Sequence, residues 1–166
     1  MERARREVAF RPVGVVMTQA SDDEIRERSR ELEGTIEIFP EFQEALEGLK
    51  GFSHIVVLSF LNRLRTEQVG VLKVRPRRLM KKGFKLDELP LVGVFALDSP
   101  WRPNPIGLSL VRLLRRQGKK LIVLGLDCFD GTPVLDIKPY RDDYRADQYE
   151  LAEWYRRLRD KAGGDI

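Results

Sequence analysis

The feature that most constrains the fold is a succession of apolar runs that are all of strand length. Residues 54–61, His-Ile-Val-Val-Leu-Ser-Phe-Leu, are nearly continuously apolar and rich in β-branched side chains, which reads as a buried strand. Further strand-like runs occupy 8–16, 35–39, 69–74, 91–97, 108–114, 121–126 and 134–137. Gln117-Gly118-Lys119-Lys120 reads as a hairpin turn, and Asp130-Gly131 is a second strong turn signal. Helix signals, by contrast, are isolated. Ser21-Asp22-Asp23-Glu24 has capping-box spacing and predicts a helix over 22–33 that stops at Gly34. Its only apolar positions are Ile25 and Leu32, which places it on the surface. Pro40 opens a second helix with Phe42, Ala45 and Leu46 on one face. In the last segment Tyr144, Gln148, Leu151, Tyr155 and Leu158 recur at helical spacing, predicting a C-terminal amphipathic helix docked on the domain or on a second subunit. Six or seven strands with short connections and a few peripheral helices predict a mainly β fold, a barrel or half-barrel rather than βαβ units.

Composition limits the remaining choices. At 166 residues, 42% hydrophobic and 34% charged, the chain reads as one soluble domain, 1–166, without repeats or linkers. No run approaches the eighteen or so apolar residues of a membrane span. Met1 to Arg6 is basic but leads into no apolar stretch, so no signal peptide is expected. Cys128 is the one cysteine; it cannot form an internal disulfide and points to a reducing cytoplasm. One Cys and one His cannot supply a structural zinc site, so no metal is expected. Thirty basic and 26 acidic residues give a net charge of +4, which suits a nucleic-acid partner or, equally, the surface ion pairs of a thermophile. No Gly-x-Gly-x-x-Gly occurs, so the ordinary dinucleotide-binding turn is absent.

Two stretches carry chemical information. In Ser99-Pro100-Trp101-Arg102-Pro103-Asn104-Pro105-Ile106-Gly107 each proline fixes its own φ and pushes the preceding residue into extended geometry. This is a stiff loop, and Gly107 is expected to let the chain turn sharply into the next strand. Arg102 and Asn104 either hold a ligand at small entropic cost or belong to a proline-rich crossover. In Asp130-Gly131-Thr132-Pro133-Val134-Leu135-Asp136-Ile137-Lys138-Pro139-Tyr140, period-two geometry puts Asp136 and Lys138 on one face. They either orient a substrate amine and its proton acceptor or form a surface ion pair. His54 is expected to play a structural hydrogen-bonding part rather than a catalytic one. Cys128 reads as a small buried side chain rather than a nucleophile, with no histidine near it in sequence.

These stretches, together with Gly93-Val94-Phe95-Ala96, Leu46-Glu47-Gly48-Leu49-Lys50-Gly51-Phe52-Ser53-His54 and Pro12-Val13-Gly14, closely resemble, in order, the signatures of the TsaA-like (TrmO) family. The resemblance covers about residues 10–140 and implies a single-sheeted β-barrel that works as a homodimer. It also implies a cofactor, S-adenosylmethionine, held near the subunit interface, and a tRNA substrate methylated on N6 of threonylcarbamoyladenosine at position 37. Position by position, it implies cofactor contacts at Asn62 and Arg63, Asp98, Leu108, and Leu124, Gly125, Leu126 and Asp127. The family's usual residues are a His-Gln pair at Asn62-Arg63 and an arginine at Asp98. Its early Pro-Arg-Gln loop has no counterpart; a charged helix around 25–32 stands there.

An arginine pairs with a carboxylate or a phosphate, whereas an aspartate repels both. Asp98 would instead face the cationic end of the cofactor, with Arg63 supplying the missing positive charge. Asp136 is the candidate for accepting the acceptor's proton or orienting it, with Lys138 and Tyr140 shaping the site. Trp101 and Phe95 either stack on an adenine or belong to the core. Arg75, Arg77, Arg78, Lys81, Lys82 and Lys85 form a basic loop that either tracks tRNA phosphates or moves freely in solvent. The departures leave open the same fold and cofactor with a different acceptor, or a noncatalytic module binding cofactor or RNA.

Overall fold

The computed structural model describes residues 7–164; Met1 to Arg6, on which the expectation about a signal peptide rests, lie outside it. Within that range the chain forms two compact units, one built from residues 7–62 and 106–140, the other from 63–105 and 141–164. Its strands, in chain order, are β1 (Gly14–Met17), β2 (Glu33–Ile38), β3 (His54–Phe60), β4 (Lys73–Val74), β5 (Val92–Gly93), β6 (Ile106–Gln117), β7 (Lys120–Leu124) and β8 (Pro133–Pro139). Two α-helices accompany them, α1 (Asp22–Arg28) and α2 (Glu153–Lys161).

The first unit is a closed antiparallel barrel with strand order β1-β2-β7-β6-β3-β8. Closure leaves no unpaired edge for another chain to extend. Alternation decides which side chains fill it. On β3, Ile55, Val57 and Ser59 are buried, while His54, Val56, Leu58 and Phe60 face outward. Ile36, Val111, Leu121, Val123 and Val134 from the other strands complete the apolar interior. β6 and β7 form the expected hairpin, with Gly118 at φ 59°, and Gly131 turns at φ 76° before β8.

Several local expectations need correction. Gly107 does not turn the chain: it lies inside β6, paired with Ser59, and a Cβ there would sit 2.5 Å from the Ser59 hydroxyl. The glycine is required by close approach of two strands. Helix α1 ends at Arg28 and is followed by a 3-10 turn over Ser29–Glu31, because Glu33 and Gly34 pair with Leu124 and Val123 of β7. Strand pairing there overrides the helical spacing. α1 does lie on the surface as expected, anchored there by its one buried residue, Ile25. The segment after Pro40 is a 3-10 helix, Pro40–Leu46, that buries Leu46 and leaves Ala45 exposed. The first strand begins at Gly14 rather than at residue 8.

The second unit is made of short pieces. β4 and β5 pair over two residues each, where longer strands over 69–74 and 91–97 were expected. Gly70, at φ 80°, and Pro76 bracket β4; Pro90 precedes β5, which turns at once into a 3-10 helix over Val94–Ala96. Leu79, Phe84, Leu89 and Leu158 form its core, with Trp154 and Ala162 packed against them. The C-terminal helix starts only at Glu153; Tyr144 sits in a separate 3-10 turn, Asp142–Tyr144, and Tyr149 is exposed. No helix among the described residues is long and apolar enough to cross a membrane.

Candidate functional site

On the barrel's outer surface, register brings several of the candidate residues into rows. Leu58 of β3 lies opposite Leu108 on β6 and Asp136 on β8; Val56 lies opposite Leu110 and Lys138. Residues two strands apart stand roughly 10 Å from one another. Asp136 and Lys138 form an ion pair of 2.8 Å with both side chains about half exposed. The other Asp136 oxygen accepts the backbone N–H of Ile137 at 2.9 Å, so both oxygens are engaged. Next in the row, the Tyr140 amide donates to the His54 carbonyl at 3.0 Å, and the two rings meet edge-on with centroids 6.4 Å apart. The His54 ring shares a 2.9 Å hydrogen bond with the Ser53 hydroxyl. Beside this polar row the face is apolar: Leu108 is 68% exposed, Leu110 49% and Phe60 41%.

Two buried serines in the barrel interior, Ser59 and Ser109, were not singled out in the sequence, whereas their partners Cys128 and Asp127 were. Ser109 points inward from β6 and its hydroxyl donates to Asp127 Oδ1. Asp127, in the loop after β7, is itself exposed. Cys128 is buried, its Sγ donating to the Ser59 hydroxyl at 3.5 Å. Burial pushes the Cys128 thiol up from its ordinary value, the Asp127 charge adds to this, and the serine hydrogen bonds oppose it. It therefore stays a neutral thiol, as a nucleophile would not. The overlooked signal is Ser59, an inward position in an apolar strand that faces a glycine across the ladder. Of the other residues in this run, Leu126 packs into the core and offers a ligand only its backbone, while the Gly125 N–H donates to the Leu32 carbonyl. Asn62, at the end of β3, is exposed.

Arg63, Asp98, Arg102 and Asn104 belong to the second unit. Arg102 braces the proline loop: its Nη2 donates to the carbonyls of Leu97 at 2.7 Å and Val94 at 3.4 Å. Its own carbonyl accepts the Gly70 N–H. Its Nε is buried and has no hydrogen-bond partner. A buried donor without a partner costs roughly 1–3 kcal/mol, so an acceptor reaching it would be held firmly. Arg63, Asp98 and Asn104 are exposed. Phe95 is 80% exposed and so does not belong to the core, whereas Trp101 is partly buried.

The first unit is a closed antiparallel barrel, and with no dinucleotide-binding turn in its sequence it stands outside the Rossmann class. Comparison with known proteins makes the assignment specific. Residues 24–146 match the tRNA-methyltransferase O N-terminal domain, and the chain belongs to that family. It is 45% identical over 140 residues to a probable S-adenosyl-L-methionine-binding protein of Methanothermobacter thermautotrophicus, covering 82% of this chain and 93% of that one. It is 42% identical over 111 residues to the mouse tRNA (adenine(37)-N6)-methyltransferase, covering 67% of this chain but only 24% of the mouse protein. A crystal structure of TrmO superposes with a TM-score of 0.66 at 34% identity, over 87% of this chain and 64% of TrmO. The chain thus spans less than two thirds of the solved TrmO and about a quarter of the mouse enzyme.

Proposed function

We propose that this chain is an S-adenosylmethionine-dependent methyltransferase acting on tRNA, with N6 of threonylcarbamoyladenosine at position 37 as acceptor, and that it works as a cytoplasmic homodimer. The observation that carries the reading is the family match over 24–146, joined to relatives named for binding S-adenosylmethionine and for methylating tRNA adenine.

The residues present fit the cofactor. Asp127, with one oxygen held by Ser109, has a second to accept from ribose hydroxyls. The partnerless Nε of Arg102 is a donor suited to a carboxylate or a ring nitrogen. The exposed Phe95 ring offers a stacking face for an adenine. Asn62, Leu108, Leu124, Gly125 and Leu126 are the other cofactor contacts assigned in the barrel unit, and Arg63 and Asp98 those in the second, where Arg102 and Asn104 are assigned to the substrate. When bound, the cofactor supplies an electrophilic methyl group. The chain's task is then to hold the acceptor nitrogen in line and keep its proton directed at an acceptor. We assign that orientation to Asp136, already fixed by Lys138 and Ile137, with Tyr140 beside it. The exposed Leu108 and Leu110 supply an apolar face for a second copy.

Calorimetric titration with S-adenosylmethionine is expected to give saturable heat. Labelled methyl is expected to enter tRNA carrying threonylcarbamoyladenosine and not tRNA lacking it. Equal incorporation into both, or into neither, overturns the acceptor assignment. Unchanged cofactor affinity in Asp98→Ala and Arg63→Ala removes those two residues from the site.

A further inference from the structure

We infer that residues 73–85, in the second unit, are the surface that grips the phosphate backbone of the RNA substrate. This rests on the tRNA reading for the identity of the polyanion, but the surface itself is defined by charge and packing. Seven of these thirteen residues are basic, Lys73, Arg75, Arg77, Arg78, Lys81, Lys82 and Lys85, and none is acidic. The whole chain has 30 basic and 26 acidic side chains, so the remainder holds 23 against 26. All of the chain's excess positive charge, and more, is therefore concentrated in this segment.

The segment is also built, not loose. Val74, Leu79 and Phe84 recur every five residues and are all buried. Between them runs a 3-10 helix, Arg77–Lys82, closed by Gly83 at φ 88°, whose N–H donates back to Leu79 and Met80. Arg77, Arg78, Lys81, Lys82 and Lys85 are left exposed. Arg75 is the exception. It turns inward to donate to the Leu89 carbonyl, four residues beyond the segment's end. The six-residue helix spans roughly 12 Å, so its cations form a short fixed array. The backbone beneath them is already ordered, so meeting a polyanion costs side-chain freedom only. A lipid surface is the poorer match, because the helix's Leu79 is already committed to the unit's own core and Met80 is its one exposed apolar side chain.

The test is fluorescence polarisation of a labelled anticodon stem-loop RNA with the full chain across a range of KCl concentrations. The triple variant Arg77→Ala/Lys81→Ala/Lys82→Ala is compared with wild type and with Arg156→Ala/Arg157→Ala on the charge-mixed helix α2. The triple variant is expected to bind about tenfold or more weakly at low salt, with the slope of log affinity against log salt reduced by about two. The α2 variant should stay within about twofold of wild type, and all three proteins should titrate S-adenosylmethionine alike.

Wild-type affinity and slope in the triple variant overturn the proposal, as does an equal loss in the α2 variant. It also falls if the triple substitution abolishes binding to phosphatidylglycerol vesicles while sparing RNA. If wild type binds no RNA, this surface and the tRNA reading fall together. If RNA binding depends on the segment but no methyl transfer occurs, only the enzymatic reading falls.

Discussion

The two units satisfy their backbones by different means. In the barrel, ladders between strands distant in sequence pair the peptide groups, and side chains alternate between interior and exterior. In the second unit the strands are two residues long, and much of the chain closes on itself in 3-10 turns. There, long arginine side chains do part of what a ladder does: Arg75 reaches the Leu89 carbonyl, and Arg102 those of Val94 and Leu97. A buried carbonyl has to find a donor, and where sheet is absent a guanidinium with five N–H groups is the most versatile one. A conspicuous arginine in an irregular segment therefore has a structural claim on it before a ligand does. Arg102 shows both, since its Nη2 is engaged and its Nε is not.

The largest expected effect contrasts the two interiors. Ile55 and Leu89 are both essentially inaccessible to solvent. Ile55→Ala opens a cavity between strands held on both sides and should cost about 2–5 kcal/mol. Leu89→Ala should fall at or below the lower end of that range, because short segments around a four-residue core can relax into the space. The chain's two tryptophans, Trp101 and Trp154, both belong to the second unit, so their fluorescence reports on it while far-UV circular dichroism reports chiefly on the strands. In urea, Ile55→Ala should shift the dichroism midpoint most and Leu89→Ala the fluorescence midpoint most. Coincident transitions in both variants would break the comparison.

Two strand glycines sharpen it. A Cβ on Gly14 of β1 would lie 2.5 Å from the carbonyl oxygen of Glu37 on β2, which cannot move without disturbing the ladder. Gly93 of β5, at φ −60°, has nothing within 4 Å of the same position. Gly14→Ala is therefore expected to cost about 1–3 kcal/mol, and Gly93→Ala to be close to neutral. Thermal melting of the two variants decides; equal losses would mean that the second unit is as tightly packed as the barrel.

The same contrast explains what was legible in the sequence. β3 reads directly because its interior and exterior positions are both largely apolar, and a continuous run survives any uncertainty of register. β6 runs beyond its expected end through Arg115, Arg116 and Gln117, since the arms of a hairpin extend on backbone pairing whatever their outward side chains. At 144–158 helical spacing was present without a surface to bury it: Tyr144 and Gln148 stay exposed, and only the part carrying Trp154 and Leu158 meets the second unit's core. The site followed the same rule. Asp136 and Lys138 were placed on one face by period two, whereas the Ser109–Asp127 contact joins a strand to a loop eighteen residues on and has no local signature.

Helix α1 supplies the smallest effect and the one most completely fixed by adjacent residues. The Ser21 hydroxyl accepts the Glu24 N–H, and Glu24 in turn accepts the Ser21 N–H, the reciprocal pair its spacing implied. The backbone hydrogen bond from Ser21, then those from the Arg28 and Ser21 side chains, lower the Glu24 carboxyl to about 2 from an ordinary 4.5. A carboxyl depressed on folding adds stability that is fully present above its unfolded value and is lost as pH falls towards the folded one. Ser21→Ala, which removes the cap, should cost about 1 kcal/mol at neutral pH. The melting-temperature gap between wild type and variant should hold steady above pH 4.5 and narrow between 4.5 and 2, as protonation of Glu24 dissolves the box in wild type as well. Because the whole device lies within eight residues of the barrel unit, the gap should appear in the dichroism and leave the fluorescence of the second unit's tryptophans little changed. An equal gap by both probes would mean that the two units melt together.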